Sequence, residues 1–222
     1  GYLPMALRNY LVRLGWSHGD DEIVATEEMV RWFDLDAIGR SPARFDFAKL
    51  ENLNGHYLRA TADAEIVSRL KALVPELPDG AELSARIDAQ GWRQAERAMP
   101  GLKERVKTLV ELLDSAAFLF AKRPLVIDAQ AAKLVDAAAR ETLASLLPLL
   151  GVVEPWTPEA LESCVRTFAE ATGRKLGNVA QPLRAALTGR TTSPGIFDVL
   201  DVLGREESLA RIRDQALATD SA

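Results

Sequence analysis

The sequence predicts an all-α fold. Apolar residues recur at three- and four-residue spacing through most of the chain, and no alternating strand pattern of useful length interrupts them. Prolines and glycines fall between these periodic segments, where helices begin and end. The 222 residues are 48% hydrophobic and 27% charged, which is the composition of a folded globular protein and excludes wholesale disorder.

The N-terminal quarter predicts three helices. Pro4 suits a first helical turn, and Gly15 ends that helix. Thr26 is the predicted N-cap of the second helix and Asp46 that of the third, because short oxygen-bearing side chains accept hydrogen bonds from the first free backbone N–H groups. Ser41-Pro42 breaks the chain between them.

The rest of the chain continues as helices. Two cap-and-proline signals, Thr157-Pro158 and Ser193-Pro194, mark helix starts, and Gly173, Gly189 and Gly204 mark helix ends. Residues 124–127 (PLVI) end in two β-branched residues, but one short run does not make a sheet. One further predicted helix starts at Thr61. The other predicted helices cover residues 82–99 (ended by Pro100-Gly101), 102–113, 115–122, 128–147, 178–187 and 206–217.

Breaks near Ala60-Thr61 and near residues 124–128 divide the chain into three predicted parts. These are a small segment over residues 1–60 and two helical bundles over residues 61–128 and 129–222. No fixed-period repeat joins them.

Several function classes are disfavoured by composition. One cysteine, Cys164, and two histidines leave no disulfide framework and no expected metal site, and Cys164 lies among apolar helical neighbours as a buried structural thiol. No phosphate-binding glycine loop and no nucleophile elbow is present, so no catalytic residue is expected. Without an 18-residue apolar run or a leader-like start, we expect a cytoplasmic protein with no membrane partner.

Charge is unevenly distributed. The net charge is −5, yet residues 171–197 contain four basic residues and no acidic one. A polyanion responds to the local field of the surface it meets, so this window predicts nucleic-acid contact more strongly than the net charge opposes it. A smaller basic patch consists of Lys103, Arg105 and Lys107. Either cluster is equally compatible with a solvated helical face.

Two predicted helix starts fall inside the acid-free window. Lys175 precedes the helix that begins near Asn178, and the polar loop 188–195 precedes the next. Free N–H groups and the positive dipole end at a helix start suit phosphates or base edges. Together they predict a pocket for unstacked single-stranded bases, the usual target of sequence-specific RNA readers, although an ordinary pair of capped helices gives the same pattern.

Three blocks of the sequence carry a family resemblance. Residues 1–11 (GYLPMALRNYL) with 14–17 (LGWS) are similar to the segment that follows the KMSKR-type ATP loop in the bacterial glutamyl-tRNA synthetase family. Phe45-Asp46, with the pairs at 49–50, 53–54 and 56–57, resembles its tRNA stem-contact region. The blocks 175–177, 179–189, 193–197 and 203–204 are similar to its C-terminal anticodon-binding domain.

The resemblance implies the tRNA-binding half of a class I glutamate–tRNA ligase. That enzyme attaches glutamate to tRNA(Glu) using ATP and Mg²⁺, but neither the HIGH-type nor the KMSKR-type motif occurs here. The resemblance therefore implies no cofactor and no catalysis in these residues, with ATP and Mg²⁺ bound in the catalytic half. Its expected partner is tRNA(Glu), bound by a monomer, with no DNA partner.

The resemblance also implies roles for individual residues. Arg105 stands where the family reads the last anticodon base, and Ser193 where it hydrogen-bonds a base edge, with Pro194 and Ile196 as apolar surfaces. Arg184 or Lys175 is expected on a phosphate. The remaining anticodon candidates are Lys107, Thr108, Asn178, Gln181 and Gly195, and the stem-contact candidates are Arg8, Asn9, Trp16, Lys49 and Asn54.

Two alternatives remain open. Arg105 is compatible with an enzyme that discriminates tRNA(Glu) from tRNA(Gln), but a non-discriminating enzyme charges both. A helical module that binds a protein rather than RNA belongs to a different class, and its binding would be insensitive to salt.

Overall fold

The computed structural model describes residues 1–39 and 42–218. Over those residues it contains thirteen α-helices, three short 3₁₀ turns and no strand, which confirms the all-α prediction. The helices are α1 (Pro4–Val12), α2 (Thr26–Trp32), α3 (Phe47–Ala60), α4 (Asp63–Leu73), α5 (Gly80–Arg86), α6 (Ala89–Lys103), α7 (Leu109–Ala116), α8 (Ala129–Ala132), α9 (Ala137–Gly151), α10 (Pro158–Ala171), α11 (Leu176–Thr188), α12 (Ile196–Leu203) and α13 (Arg205–Ala216).

The chain forms two compact units, and it enters each of them twice. Gly1–Ser84 and Lys103–Asp114 make up the first unit, and Ala85–Leu102 with the residues from Ser115 onward make up the second. The three-part division at residues 60 and 128 stays a prediction.

The first unit is built around α1 and α3, which pack against each other. Leu3, Leu50 and Leu58 are among its fully buried apolar side chains. A buried amide supplements them: Oδ1 of Asn54 accepts a hydrogen bond from the Leu3 N–H over 2.7 Å. This bond satisfies one of the free N–H groups at the start of α1.

The second unit is a bundle of α9 to α13, in which α9 packs most extensively against α13. Its core contains the fully buried side chains of Leu143, Leu146, Leu150 and Leu161. Arg211 is also buried, and its Nη1 donates to the carbonyl oxygens of Phe118 and Leu187 at 2.9 and 2.8 Å. The guanidinium thus links α13 to the end of α11 and to the 3₁₀ turn Ala117–Phe120.

Several predicted helix boundaries are confirmed. Asp46 accepts from the Lys49 N–H over 3.2 Å, and Thr157 accepts from the Ala160 N–H over 3.4 Å. Gly189 and Gly204 follow α11 and α12 with φ of 72° and 80°, a conformation that glycine adopts without steric penalty. Thr26 and Thr61 lie at helix starts as predicted, but Ala25 and Ala62 occupy the cap positions.

The predicted helices over residues 82–99 and 128–147 are wrong, because an aspartate starts a new helix inside each. Asp88 accepts from the Gly91 N–H over 2.7 Å at the start of α6, and Asp136 accepts from the Ala139 N–H over 2.8 Å at the start of α9. Both are N-cap interactions, which favour an interruption over a continuous helix.

Pro100 does not end its helix, contrary to the prediction. Pro100 lies inside α6, which runs on to Lys103. One N–H is lost there, but Met99 and Leu102 on either side are buried and hold the helical turn. Consequently residues 104–108 are non-helical, and the predicted helices 102–113 and 115–122 become α7 and a 3₁₀ turn.

The second cap-and-proline signal is wrong as well. Gly195, rather than Ser193, is the N-cap of α12, and the helix begins at Ile196. The Ser193 hydroxyl takes part in other hydrogen bonds, described below. The chain break predicted at Ser41-Pro42 includes Ser41, which lies outside the described residues.

Candidate nucleic-acid interface

The acid-free window places Arg184 against the loop that precedes α12. Nη1 of Arg184 donates to the Ser193 hydroxyl over 2.8 Å and lies 3.3 Å from the carbonyl oxygens of Ser193 and Pro194. The Ser193 hydroxyl in turn donates to the Pro194 carbonyl over 2.8 Å. Two of the predicted residues, on different elements, therefore meet in one hydrogen-bonded turn.

Gly189 fixes the path of this loop. A Cβ atom at Gly189 would lie 2.6 Å from the Val126 carbonyl oxygen, and its φ of 72° already disfavours other residues. Its own carbonyl accepts from the Asp128 N–H over 2.9 Å. The close approach anchors the loop to residues 126–128 within the second unit.

The apolar candidates of this loop are largely enclosed. Pro194 is buried, and its Cβ would stand 3.1 Å from a Cβ atom built on Gly101. Ile196 is buried at the start of α12. Gly195 is exposed, and a side chain there would clash with the Asp198 carboxylate. The carboxylate that ends the acid-free window thus sits directly beside the predicted pocket.

The start of α11 presents exposed polar side chains. Lys175 is its N-cap residue, and no side chain caps the helix there. Lys175, Asn178 and Gln181 are exposed, and the last two are neighbours on the helix surface because they are three residues apart. The first turn contains no acidic residue, so the positive end of the helix dipole is not neutralised locally.

Residues 104–108 form a turn of the first unit that three hydrogen bonds constrain. Nδ2 of Asn54 donates to the Lys107 carbonyl over 2.5 Å, and the Lys107 N–H donates to Oε2 of Glu111 over 2.7 Å. The Thr108 hydroxyl accepts from the Glu111 N–H over 3.2 Å and so caps α7. Arg105 is exposed on this turn.

The stem-contact candidates separate into buried and exposed groups. Asn9 and Asn54 are fully buried, and Oδ1 of Asn9 accepts from the Val24 N–H over 2.7 Å. Trp16 is 5% exposed and packs against Phe33 with ring centroids 5.9 Å apart. These three side chains influence a ligand through the residues they position, whereas Arg8 and Lys49 are exposed and can touch it directly.

A cleft of about 490 Å³ in the first unit was not predicted. We call it the basic cleft, since Arg13, Arg44, Lys49 and His56 line it and Glu22 is the one acid among the described residues that line it. Glu22 pairs with Arg13 at 3.8 Å. Of the four basic residues only Lys49 is predicted from the sequence, because the four residues are scattered over 44 positions and form no local run.

Three further observations concern metal-ligating side chains, the single cysteine and the lengths of the helices. Across residues 1–39 and 42–218, no group of three or more His, Cys, Asp or Glu side chains is arranged to hold a metal ion. Cys164 was predicted to be buried but is half-buried, and desolvation raises the pKa of its thiol, which keeps it in the less reactive protonated form. Within the described part of the chain, no helix has the length and apolarity needed to cross a bilayer.

Comparison with known proteins points to one family. A family described as "Anticodon binding domain" matches residues 65–216. Glutamate–tRNA ligase of Bradyrhizobium sp. (strain ORS 278) is 62% identical over 98% of this chain, and glutamate–tRNA ligase 1 of Xanthobacter autotrophicus is 64% identical over 97%. The chain spans 46% of the length of each of these relatives.

Solved structures give the same result. The glutamate tRNA ligase from Elizabethkingia meningosepticum, crystallised in complex with its amino acid, matches with a TM-score of 0.82 and 27% identity. The match covers 97% of this chain and 41% of that one. The glutamate–tRNA synthetase from Elizabethkingia anophelis matches with a TM-score of 0.77, also at 27% identity, over 98% of this chain and 41% of its own.

Proposed function

Since the chain belongs to the anticodon-binding domain family, we propose that it is the tRNA-binding part of a glutamate–tRNA ligase. The carrying observation is that ligases of this name are 62–64% identical over nearly the whole chain. The full-length enzyme would attach glutamate to tRNA(Glu) in the cytoplasm, and this part would recognise the tRNA as a monomer.

The anticodon loop is the proposed ligand of the acid-free window. The turn at Ser193–Gly195 places the half-buried hydroxyl of Ser193 beside the exposed Gly195, where polar groups of the turn would meet the edge of an unstacked base. Lys175 and Asn178, exposed at the uncapped start of α11, would bind a loop phosphate, with Gln181 one turn further along. Arg184 supports this site by holding the turn in place.

Discrimination of the last anticodon base is assigned to Arg105. Its guanidinium is exposed on a turn that Asn54, Glu111 and Thr108 hold rigid through the hydrogen bonds described above. A planar fork of donors on a fixed backbone can distinguish one base edge from another. Lys107, half-buried on the same turn, would add charge beside it.

The stem of the tRNA is the proposed ligand of the basic cleft. Arg13, Arg44 and Lys49 provide positive charge, and among the described lining residues Glu22 alone carries the opposite charge. Arg8 is exposed on the neighbouring helix α1. Contacts of this kind position RNA without reading its sequence.

The chemical step would take place outside these residues. No phosphate-cradling glycine loop is present in the chain, so the residues at hand do not fit ATP or Mg²⁺. We therefore place ATP, Mg²⁺ and glutamate in the part of the ligase that this chain does not match, and we expect no adenylate formation by these 222 residues alone.

Titration with tRNA(Glu) and with variants of its anticodon tests the proposal. We expect the affinity for tRNA(Glu) to fall by two or more orders of magnitude between about 50 and 200 mM salt if four to six phosphates are contacted.

The anticodon variants test the role of Arg105. Changing the third anticodon base should weaken binding to the parent protein, and Arg105→Ala should remove the preference for the original base. Equal affinity for tRNA(Glu) and tRNA(Gln) would indicate a non-discriminating enzyme. Salt-independent binding would instead favour a protein-interaction module.

A further inference from the structure

We infer that a pocket beside the Ser193–Gly195 turn receives one unstacked cytosine, and that the Asp198 carboxylate accepts a hydrogen bond from the amino group of that base. We call this cavity the Asp198 pocket. The inference rests on the proposed function and deepens it, because it names the base that one position of the bound RNA loop would carry.

The Asp198 pocket combines an apolar lining with a few polar groups. Its volume is about 280 Å³, just below the roughly 300–1,000 Å³ of small-molecule sites, so it suits a single ring better than an extended ligand. All of its lining residues belong to the second unit. The buried ones are apolar: Ala98, Phe118, Pro194, Val199 and Val202.

Two glycines bring the Asp198 pocket close to the turn. A Cβ atom built on Gly101 would lie 3.1 Å from Cβ of Pro194, so α6 and the turn approach each other closely there. A Cβ atom on Gly195 would clash with the Asp198 carboxylate, which therefore lies directly against the backbone of the turn. A base that enters the pocket from the turn would meet this carboxylate.

The two carboxylates that line the pocket differ in their partners. Asp201 is paired with Arg97, whose Nη2 lies 2.9 Å from Oδ2 of Asp201. Asp198 is exposed, and it has neither an ion pair nor a hydrogen bond within residues 1–39 and 42–218. Its position in the first turn of α12 gives it a favourable interaction with the helix dipole, but this interaction leaves its oxygens free to accept hydrogen bonds.

The chemistry of a carboxylate selects cytosine among the pyrimidines. An ionised carboxylate can only accept hydrogen bonds, and the N4 amino group of cytosine donates them. Uracil has a carbonyl oxygen at the same position, so it would place one acceptor against another. Purines with amino groups need more room than the small pocket provides.

The same charge directs the RNA backbone away from the Asp198 pocket. Asp198 repels phosphates, whereas the neighbouring residues 171–197 contain four basic side chains and no acidic one. A loop that binds both would keep its phosphates on the basic residues and turn a base towards Asp198.

Two RNA hairpins with the same stem test the inference on the 222-residue chain. One hairpin has a loop of cytidines only and the other a loop of uridines only. Fluorescence anisotropy should show a preference of about tenfold or more for the cytidine loop. Asp198→Asn should reduce this preference below about threefold, because an amide can also donate to the uracil oxygen.

Glu159→Gln is the matched control for the loss of charge. Glu159 is an exposed acid in the first turn of α10, the same part of a helix that Asp198 occupies in α12. Either substitution removes one negative charge and should raise the affinity for both hairpins. The ratio of the two affinities is therefore the readout, and Glu159→Gln should leave it unchanged.

Two results would overturn the inference. One is equal affinity of the parent chain for the two hairpins, and the other is a cytidine preference that survives Asp198→Asn. A parent chain that binds tRNA(Glu) but gives either result contradicts this inference alone. A parent chain that binds neither tRNA(Glu) nor the hairpins contradicts the proposed function as well.

Discussion

The guanidinium of Arg184 and the hydroxyl of Ser193 are joined by a 2.8 Å hydrogen bond, which ties α11 to the turn before α12. The two residues are nine positions apart, and the same Nη1 also reaches two carbonyl oxygens of that turn. A side chain with these partners already has a role within the protein before any RNA is bound. Arg184 therefore differs from an exposed residue such as Lys175: it holds the turn in place, whereas Lys175 faces the proposed ligand.

Replacement of Arg184 tests this separation. Arg184→Ala should release the turn and reduce the preference for the cognate anticodon by tenfold or more, because a misplaced hydroxyl no longer tests the base edge. The slope of log affinity against log salt should stay unchanged. Lys175→Ala, in contrast, should reduce the slope by roughly 0.7, the value for one phosphate of a single strand. A drop in slope for Arg184→Ala would assign it to a phosphate instead.

Asn54 is expected to stabilise the first unit. Asn54→Ala removes the partners of the Leu3 N–H and the Lys107 carbonyl, and a buried polar group left unsatisfied costs about 1–3 kcal/mol. Urea unfolding measures the change. Asn52→Ala, two residues away on α3 and exposed, is the matched control and should stay within about 0.5 kcal/mol of the parent. Equal losses of unfolding free energy for Asn54→Ala and Asn52→Ala would contradict the stabilising role of the two Asn54 hydrogen bonds.

Arg211 is expected to stabilise the second unit. Nε of Arg211 donates to Oε1 of Glu207 over 2.6 Å, in addition to the two carbonyl oxygens on Nη1. Burial lowers the pKa of its guanidinium, while the bond to Glu207 opposes that change. Arg211→Met should lower the free energy of unfolding by about 3 kcal/mol, because three acceptors lose their donor. Arg213→Met, exposed on the same helix, should have little effect in the same urea titration.

Alkaline pH provides a further prediction, through Tyr57. Desolvation raises the pKa of Tyr57 above 10.0, with Arg8 acting in the opposite direction. The unfolded chain therefore loses the phenolic proton first, so the contribution is complete below pH 10 and is lost as the pH rises through the higher value of the folded state. In its neutral form the hydroxyl donates to Oδ1 of Asn9 over 3.0 Å.

Urea unfolding between pH 8 and 11 measures this dependence. At pH 8 the Tyr57→Phe variant should be less stable than the parent, because it lacks the hydrogen bond to Asn9. Its urea midpoint should decline less steeply above pH 10 than that of the parent. Parallel declines in the two proteins would show that other groups dominate the alkaline transition.

Local signals in the sequence gave the correct result where a single residue controls a helix end. Thr157, Asp46 and Gly189 were identified from their residue types, and the structure places each at the predicted boundary. Asp88 and Asp136 carry the same type of signal, but they lie within long apolar periodicities that masked it. The apolar periodicity therefore predicted two helices, over residues 82–99 and 128–147, where the structure has four: α5, α6, α8 and α9.

The candidate site could be predicted only in part. The acid-free window and the glycines that shape it are contiguous in sequence, and they mark the loop where Arg184 meets Ser193. The basic cleft joins Arg13, Arg44, Lys49 and His56 from separate elements, which no linear pattern reveals. Likewise Asn9 carries no mark that distinguishes a buried structural amide from one that contacts RNA.

The amino-acid order alone determined the helical class, many of the helix ends, the basic window and the family resemblance, because each depends on residues close together along the chain. Tertiary structure decided which polar groups are buried, which arginines bond within the protein and which apolar residues stay in solvent. Those properties depend on contacts between distant segments, as in the bond from Asn54 to Leu3 across 51 residues. Burial, unlike periodicity, is set by what the rest of the chain packs against it.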